Sequence, residues 1–123
     1  MAVEVRYLVS DVPRAVAFYT THLGFEVVED FGVPFAMLER DGLRLWVSGP
    51  ASSAARAMPD GRRPAPGGWN RFVLTVDDIG RVVDGLRAAG VSTRSDVVRG
   101  PGGAQCVVDD PDGNPVELFQ PAG

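Results

Sequence analysis

The chain has 123 residues, 45% hydrophobic and 23% charged, and carries a formal net charge of −4. That length suits one domain, or two half-domains sharing a core, and is too short for two independent domains. A mean hydropathy of +0.02 with a pI near 4.8 argues against global disorder and against a nucleic-acid or anionic-membrane surface, which needs clustered cations.

In chain order, Met1-Ala2-Val3-Glu4 puts an acid where a signal peptide wants a basic flank, and no apolar run approaches the ~20 residues of a membrane span, so a cytoplasmic, membrane-free protein is expected. Val3 to Val9 alternates with period two. Val3, Val5, Tyr7 and Val9 lie on one face of a strand and Glu4, Arg6 and Leu8 on the other. Asp11 is a helix-capping acid and Pro13 falls in the first turn. Val12, Val16, Tyr19 and Leu23 then form an apolar stripe that ends at Gly24. Val27 to Phe31 is a weaker strand. Phe35 to Glu39 and Leu43 to Val47 flank Arg40-Asp41-Gly42, a hairpin signal.

Ser48 to Asn70 is rich in Ala, Pro, Gly and Arg and has no period, so it reads as a linker, a lid, or both. Phe72 to Val76 is the next strand, with Asp77 or Asp78 as cap. Ile79, Val82, Val83 and Leu86 make the stripe and Gly90 the stop. Val91 to Val98 is a weaker strand. Ala104 to Asp109 and Pro115 to Phe119 flank a longer turn.

The order repeats. Arg6-Tyr7-Leu8-Val9-Ser10-Asp11-Val12-Pro13-Arg14-Ala15-Val16 matches Val73-Leu74-Thr75-Val76-Asp77-Asp78-Ile79-Gly80-Arg81-Val82-Val83 in pattern, and Asp41-Gly42 is answered by Asp112-Gly113. The pattern predicts an α+β fold of two βαβββ modules, residues 1–47 and 71–123, joined by 48–70 within a single domain. The single cysteine, Cys106, excludes an internal disulfide and any multi-thiolate metal site. Every one of the twelve cationic residues is arginine, a planar fork suited to carboxylates and aromatic faces.

The run Leu8 to Tyr19 with Leu23-Gly24-Phe25, and the closing Asp109-Asp110-Pro111-Asp112-Gly113-Asn114-Pro115-Val116-Glu117-Leu118, resemble the vicinal oxygen chelate superfamily. That superfamily includes glyoxalase I, bleomycin-resistance proteins, fosfomycin-resistance enzymes and extradiol dioxygenases. The resemblance implies two βαβββ modules forming a cupped mixed sheet, and a homodimer.

It also implies four metal-ligand positions, two per module. Here they fall on Glu4, Trp46, Arg71 and Glu117, with Arg44 as the substitute if the Trp46 alignment slips. An indole offers a metal no lone pair and a guanidinium is itself a cation, so the expectation is no metal and no cofactor. By the two-residue period, Glu4, Arg6, Arg44, Trp46, Arg71, Glu117 and Phe119 are expected to share the concave face, with Arg71 pairing Glu4 or Glu117.

Trp46 and Trp69 are the aromatic ligand contacts expected, and Arg6, Arg44 or Arg71 would meet anionic or carbonyl groups. The competing expectations are packing or a dimer contact for Trp46 and a linker anchor for Trp69. Phe18, Tyr19 and Cys106 are read as core, His22 as a partly exposed helix residue, and Arg62 and Arg63 as solvated. Asp109, Asp110 and Asp112 are read as an acidic turn short of a calcium loop.

No nucleophile with its base is found, so no catalytic residue is assigned. The leading expectation is a metal-free binding protein for a hydrophobic or aromatic natural product or antibiotic. The alternatives are a glyoxalase- or dioxygenase-like metalloenzyme, a metal-free isomerase or cyclase using Glu4 or Glu117 as base, or a dimeric scaffold without a ligand.

Overall fold

In the computed structural model, which describes residues 3–123, the first half of the chain runs β1 (Val3–Leu8), α1 (Val12–His22), β2 (Glu26–Asp30), β3 (Phe35–Arg40) and β4 (Leu43–Ser48). After a short 3-10 turn at Ser53–Ala55 the second half runs β5 (Val73–Thr75), α2 (Ile79–Ala88), β6 (Val98–Gly100), β7 (Gly103–Asp109) and β8 (Pro115–Pro121). Met1 and Ala2, part of the N-terminal reading above, lie outside the described residues.

The expected duplication is present in full. One four-stranded sheet has the order β1-β4-β3-β2 and the other β5-β8-β7-β6. In each, the strand before the helix pairs in parallel with the last strand, and the remaining pairs are antiparallel. The chain divides into two compact units, Met1–Pro66 and Gly67–Gly123. Residues 48–66 of the long connection therefore belong to the first unit and 67–70 to the second.

The helices start as their sequence dictates. Asp11 is extended (φ −144°) and its carboxylate accepts the Arg14 N–H at 3.0 Å. Asp78 repeats this with φ −138° and the Arg81 N–H at 3.1 Å. Each satisfies one of the donors that a helix start leaves orphaned.

In α1 the buried residues are Val12, Ala15, Phe18 and Tyr19. Val16 is only half-buried, so the stripe runs through Ala15 rather than through Val16 as the spacing suggested. Tyr19 has the larger share of the packing. It is fully buried and meets Phe18 and Phe25 edge-to-face at 5.2 and 5.5 Å. Against α1, β3 and β4 present Ala36, Leu38, Leu45 and Val47, all without exposure. The second unit does the same with Ile79, Val83 and Leu86 over Cys106, Val108, Val116 and Leu118.

The first hairpin closes on Asp41 (φ 49°) and Gly42 (φ 84°), the two left-handed residues of the tight turn whose twist suits a two-residue loop. One weak strand is relocated. Val91 to Val98 is not a strand; β6 begins only at Val98, and upstream a single bridge joins Thr93 to Val108. The alternation fails at Ser95-Asp96 because Arg87 holds both, donating to the Ser95 carbonyl at 3.0 Å and to Asp96 at 3.2 Å. A backbone so tied turns away from the ladder.

Candidate functional site

Each sheet has one face on its helix and one face away from it. In the first unit the register pairs Glu4 with Arg44, Arg6 with Trp46, Met37 with Trp46 and Glu39 with Arg44. Because side chains alternate along a strand, these residues, with Phe35, all lie on the face opposite α1. Glu4, Arg6, Arg44 and Trp46 are thus brought together.

Trp46 organises this group. Its Nε1–H donates to Glu4 Oε1 at 2.9 Å. The Phe35 ring stacks on the indole with centroids 5.3 Å apart and planes 4° from parallel. Phe31 continues the row, 4.6 Å from Phe35. The Arg6 guanidinium carbon lies over the indole at 4.9 Å. Since β4 runs between β1 and β3, Arg6 and Phe35 reach the indole from opposite neighbouring strands. The result is a row of π surfaces ending in a cation, each contact of the kind that contributes about 0.5–1.5 kcal/mol.

Arg44 sits between two carboxylates, 3.9 Å from Glu4 and 3.6 Å from Glu39. Its Nε is buried with no hydrogen-bond partner. The charge of Arg44 therefore answers Glu4 and Glu39 jointly without a tight bond to either.

Sequence reasoning missed Phe31 and Phe35 as site residues. The signal was available: a two-residue turn at Asp41-Gly42 sets Arg40 opposite Leu43, and counting back puts Phe35 beside the Trp46 strand on the same face.

The second unit gathers Trp69, Arg71, Glu117 and Phe119. Arg71 donates to Glu117 Oε1 through Nε at 3.0 Å and through a terminal nitrogen at 2.8 Å, and to the Trp69 carbonyl at 3.2 Å. Arg71 thus takes Glu117 as its carboxylate. Glu117 is buried, paired along the ladder with Val73 on one side and Val107 on the other. Phe119, two residues on, lies on the same face beside Thr75 and Gln105.

Trp69 is 69% exposed, yet its ring is covered by the Arg94 guanidinium at 4.4 Å. Arg94 was not singled out in the sequence. It donates to Asp109 at 2.8 Å, to the Gly68 carbonyl at 2.7 Å and to the Gly113 carbonyl at 3.0 Å. It ties residues 68–69 to the closing turn.

The acidic turn expected at Asp109, Asp110 and Asp112 is held by its own hydrogen bonds. Buried Asp110 accepts the Asp112 and Asn114 backbone N–H groups and the Asn114 amide, each at 2.9 Å, and Asn114 accepts the Gly67 N–H at 2.8 Å. Arg62 is exposed, as read from the sequence, and also donates to Asp60 at 2.7 Å.

His22 is half-buried with its ring 5.4 Å from Phe18. Cys106 is a core residue, and burial pushes its thiol up from the ordinary range; Arg87 opposes this shift and Asp96 adds to it. The Arg87 charge near the thiol is a feature the sequence reading did not anticipate.

The metal-ligand positions can be tested on this chemistry. Glu4 is hydrogen-bonded by the Trp46 indole, which has no lone pair to give. Glu117 is held by a guanidinium. Among the described residues no three His, Cys, Asp or Glu side chains cluster in a way that could hold a metal ion. The residues at these positions do not fit the family's metal. Nor is either carboxylate free of arginine, which the isomerase alternative would need of its base. No helix among the described residues is long and apolar enough to cross a membrane.

Comparison with known proteins agrees with the architecture. A solved superfamily member from Sphaerobacter thermophilus is 28% identical, with a TM-score of 0.78 over 98% of this chain and 96% of that one. TnmS3, an antibiotic binding protein from a Streptomyces species, is 25% identical with a TM-score of 0.74, over 99% of this chain and 96% of that one. A lactoylglutathione lyase from Agrobacterium tumefaciens shares the fold at 22% identity and a TM-score of 0.76, over 98% and 92% of the two chains. No curated protein matches the chain. The model of the Glyoxalase/Bleomycin resistance protein/Dioxygenase superfamily matches residues 2–118, and with the duplicated βαβββ architecture this makes the chain a member of that superfamily.

Proposed function

We propose that the protein is a metal-free binding protein that holds a planar aromatic small molecule, of the natural-product or antibiotic kind, by stacking and desolvation rather than by chemistry. One observation carries this reading. Trp46 is the centre of the row Phe31–Phe35–Trp46 on the face that α1 leaves open, at a position where the superfamily resemblance implies a metal ligand in metal-dependent members.

Phe35 and Trp46 are only half-buried and Phe31 is 47% exposed, so the row keeps apolar surface for a flat ligand. A flat ring meets such a row with little entropy to lose, because the receiving rings are already fixed by one another and by the Glu4 hydrogen bond. Within the second unit, the Arg71–Glu117 pair is a shielded charge pair and not a poised base. The 25% identity to an antibiotic binding protein supports the same direction.

The test is a titration of the purified protein with an anthraquinone, followed by tryptophan fluorescence and calorimetry. One equivalent should bind per chain with quenching. Trp46→Ala should weaken binding at least about tenfold, the order expected for loss of a central aromatic contact. If Trp46→Ala binds as wild type does, or if the quenching belongs entirely to Trp69, the reading is wrong. A tightly bound equivalent of nickel, zinc or iron in the purified protein would equally overturn it.

A further inference from the structure

We propose that Arg6 is the anion-recognising residue of this aromatic site, so that its ligand is an aromatic acid carrying a carboxylate or comparable anion beside the ring system. The inference rests on the binding reading above and adds the charge and orientation of the ligand.

The candidate cations differ in what already neutralises them. Arg71 is bonded twice to Glu117. Arg94, beside Trp69, is bonded to Asp109 and two carbonyls. Arg44 is shared between Glu4 and Glu39. Arg6 is exposed, stacks on Trp46, and forms no ion pair with a carboxylate among the described residues. The nearest same-face carboxylate on its own strand, Glu4, gives Oε1 to the indole N–H and faces Arg44 instead.

The stacked position is held by a weak, exposed contact. It also lies at the β1 end of the row, since Phe35 and Phe31 extend the row from Trp46 toward β3. A flat ring entering against Trp46 would move the guanidinium aside. The long side chain would then reach an anion on that ring with two parallel N–H bonds, the geometry in which a guanidinium is strongest.

The charges across the sheet set a direction. Arg6 is on the edge strand β1. On the same face toward β2 lie Glu39, Glu26 and Glu29, by the pairing of Glu26 with Glu39 and of Glu29 with Met37. An anion is attracted at the β1 end and repelled at the β2 end, so the ligand lies with its acid over β1 and its rings over β4 and β3.

Anthraquinone-2-carboxylate and anthraquinone-2-carboxamide share a ring and differ in the charge. Both are titrated against wild type, Arg6→Gln, Arg6→Lys and Trp46→Ala. The expectation is that wild type binds the carboxylate about tenfold or more tightly than the amide, with the ratio shrinking as salt rises. Arg6→Gln should bring the ratio near one, and Arg6→Lys should keep part of the preference. Equal binding of the two probes to wild type overturns the assignment to an acid but leaves the aromatic site standing. A preference that survives in Arg6→Gln also overturns it. Failure of both probes to bind, or binding indifferent to Trp46→Ala, removes the underlying site and this inference with it.

Discussion

Replacing Arg71 by methionine removes the guanidinium that holds Glu117 while keeping an apolar stem of similar length. Two N–H bonds at 3.0 and 2.8 Å are lost, and a carboxylate whose side chain is only 12% exposed is left without them. Breaking a fully buried pair costs about 3–5 kcal/mol, and a fully exposed one contributes about 0–1 kcal/mol. Arg71 is 27% exposed, so the pair lies nearer the buried limit, and the expected loss is about 2–3 kcal/mol. For a chain of this size that lowers the melting temperature by roughly 8–12 °C. The assay is urea and thermal unfolding by circular dichroism, with Arg71→Met and the double variant Arg71→Met, Glu117→Met run together. The double variant should recover to within about 1 kcal/mol of wild type, because no stranded charge is left. A loss below about 0.5 kcal/mol in the single variant refutes the reasoning. So does a double variant as unstable as the single one.

Asp11→Ala and Asp78→Ala should each cost about 1 kcal/mol in urea unfolding, and nearly the same as each other, because the two caps accept from the third residue on at 3.0 and 3.1 Å. Gly103→Ala should cost more than about 3 kcal/mol, or prevent folding: its φ is +145° and an added Cβ would fall on the Gln120 carbonyl oxygen, so melting shows whether β7 and β8 can part there. Burial raises the Cys106 thiol in the folded state above the ordinary cysteine range. The unfolded chain then releases that proton first, so this contribution to stability is whole below the unfolded value and fades as pH rises toward the folded one. Unfolding between pH 8 and pH 10 should show wild type losing more stability than Cys106→Ala; equal losses would contradict the shift.

The architecture was legible because it is written twice. Asp11 and Asp78 open equivalent helices, and the hairpin turn fixes register within one residue, so Glu4, Arg6, Arg44 and Trp46 could be assigned to one face from alternation alone. Arg71 could be paired with a carboxylate for the same reason, since Glu117 lies on the strand that the fold sets beside β5. What alternation cannot supply is contact at a distance in sequence without a strand register. Arg94 lies in a stretch with one isolated bridge, and its bonds reach Gly68 and Gly113 across irregular chain. The same holds for Ser95 and Asp96, whose capture by Arg87 ended the expected strand. Phe35 was passed over for a different reason: an aromatic in a strand reads as core, and only its pairing with Ser48, one strand from Arg6, shows that it faces away from α1.

The two units solve one problem in different ways. In each, the superfamily resemblance puts a carboxylate on a strand where metal-dependent members neutralise it with a cation. Glu4 is here satisfied by an indole N–H and by Arg44 at 3.9 Å, and Glu117 by two N–H groups of Arg71. A divalent ion would have to displace these donors, and in the second unit it would also approach a fixed positive charge. Hydrogen bonds to a charged group contribute about 1.5–3 kcal/mol each, and that is the stabilisation such an ion would have to replace at each carboxylate. The same replacements free the surface for another use. An indole that satisfies a carboxylate through its edge still presents its faces, and in this protein the ring stacks on Phe35 and carries the exposed guanidinium of Arg6 over it. Internal donors thus stand where a metal would, and Trp46 joins that donor set to the aromatic row.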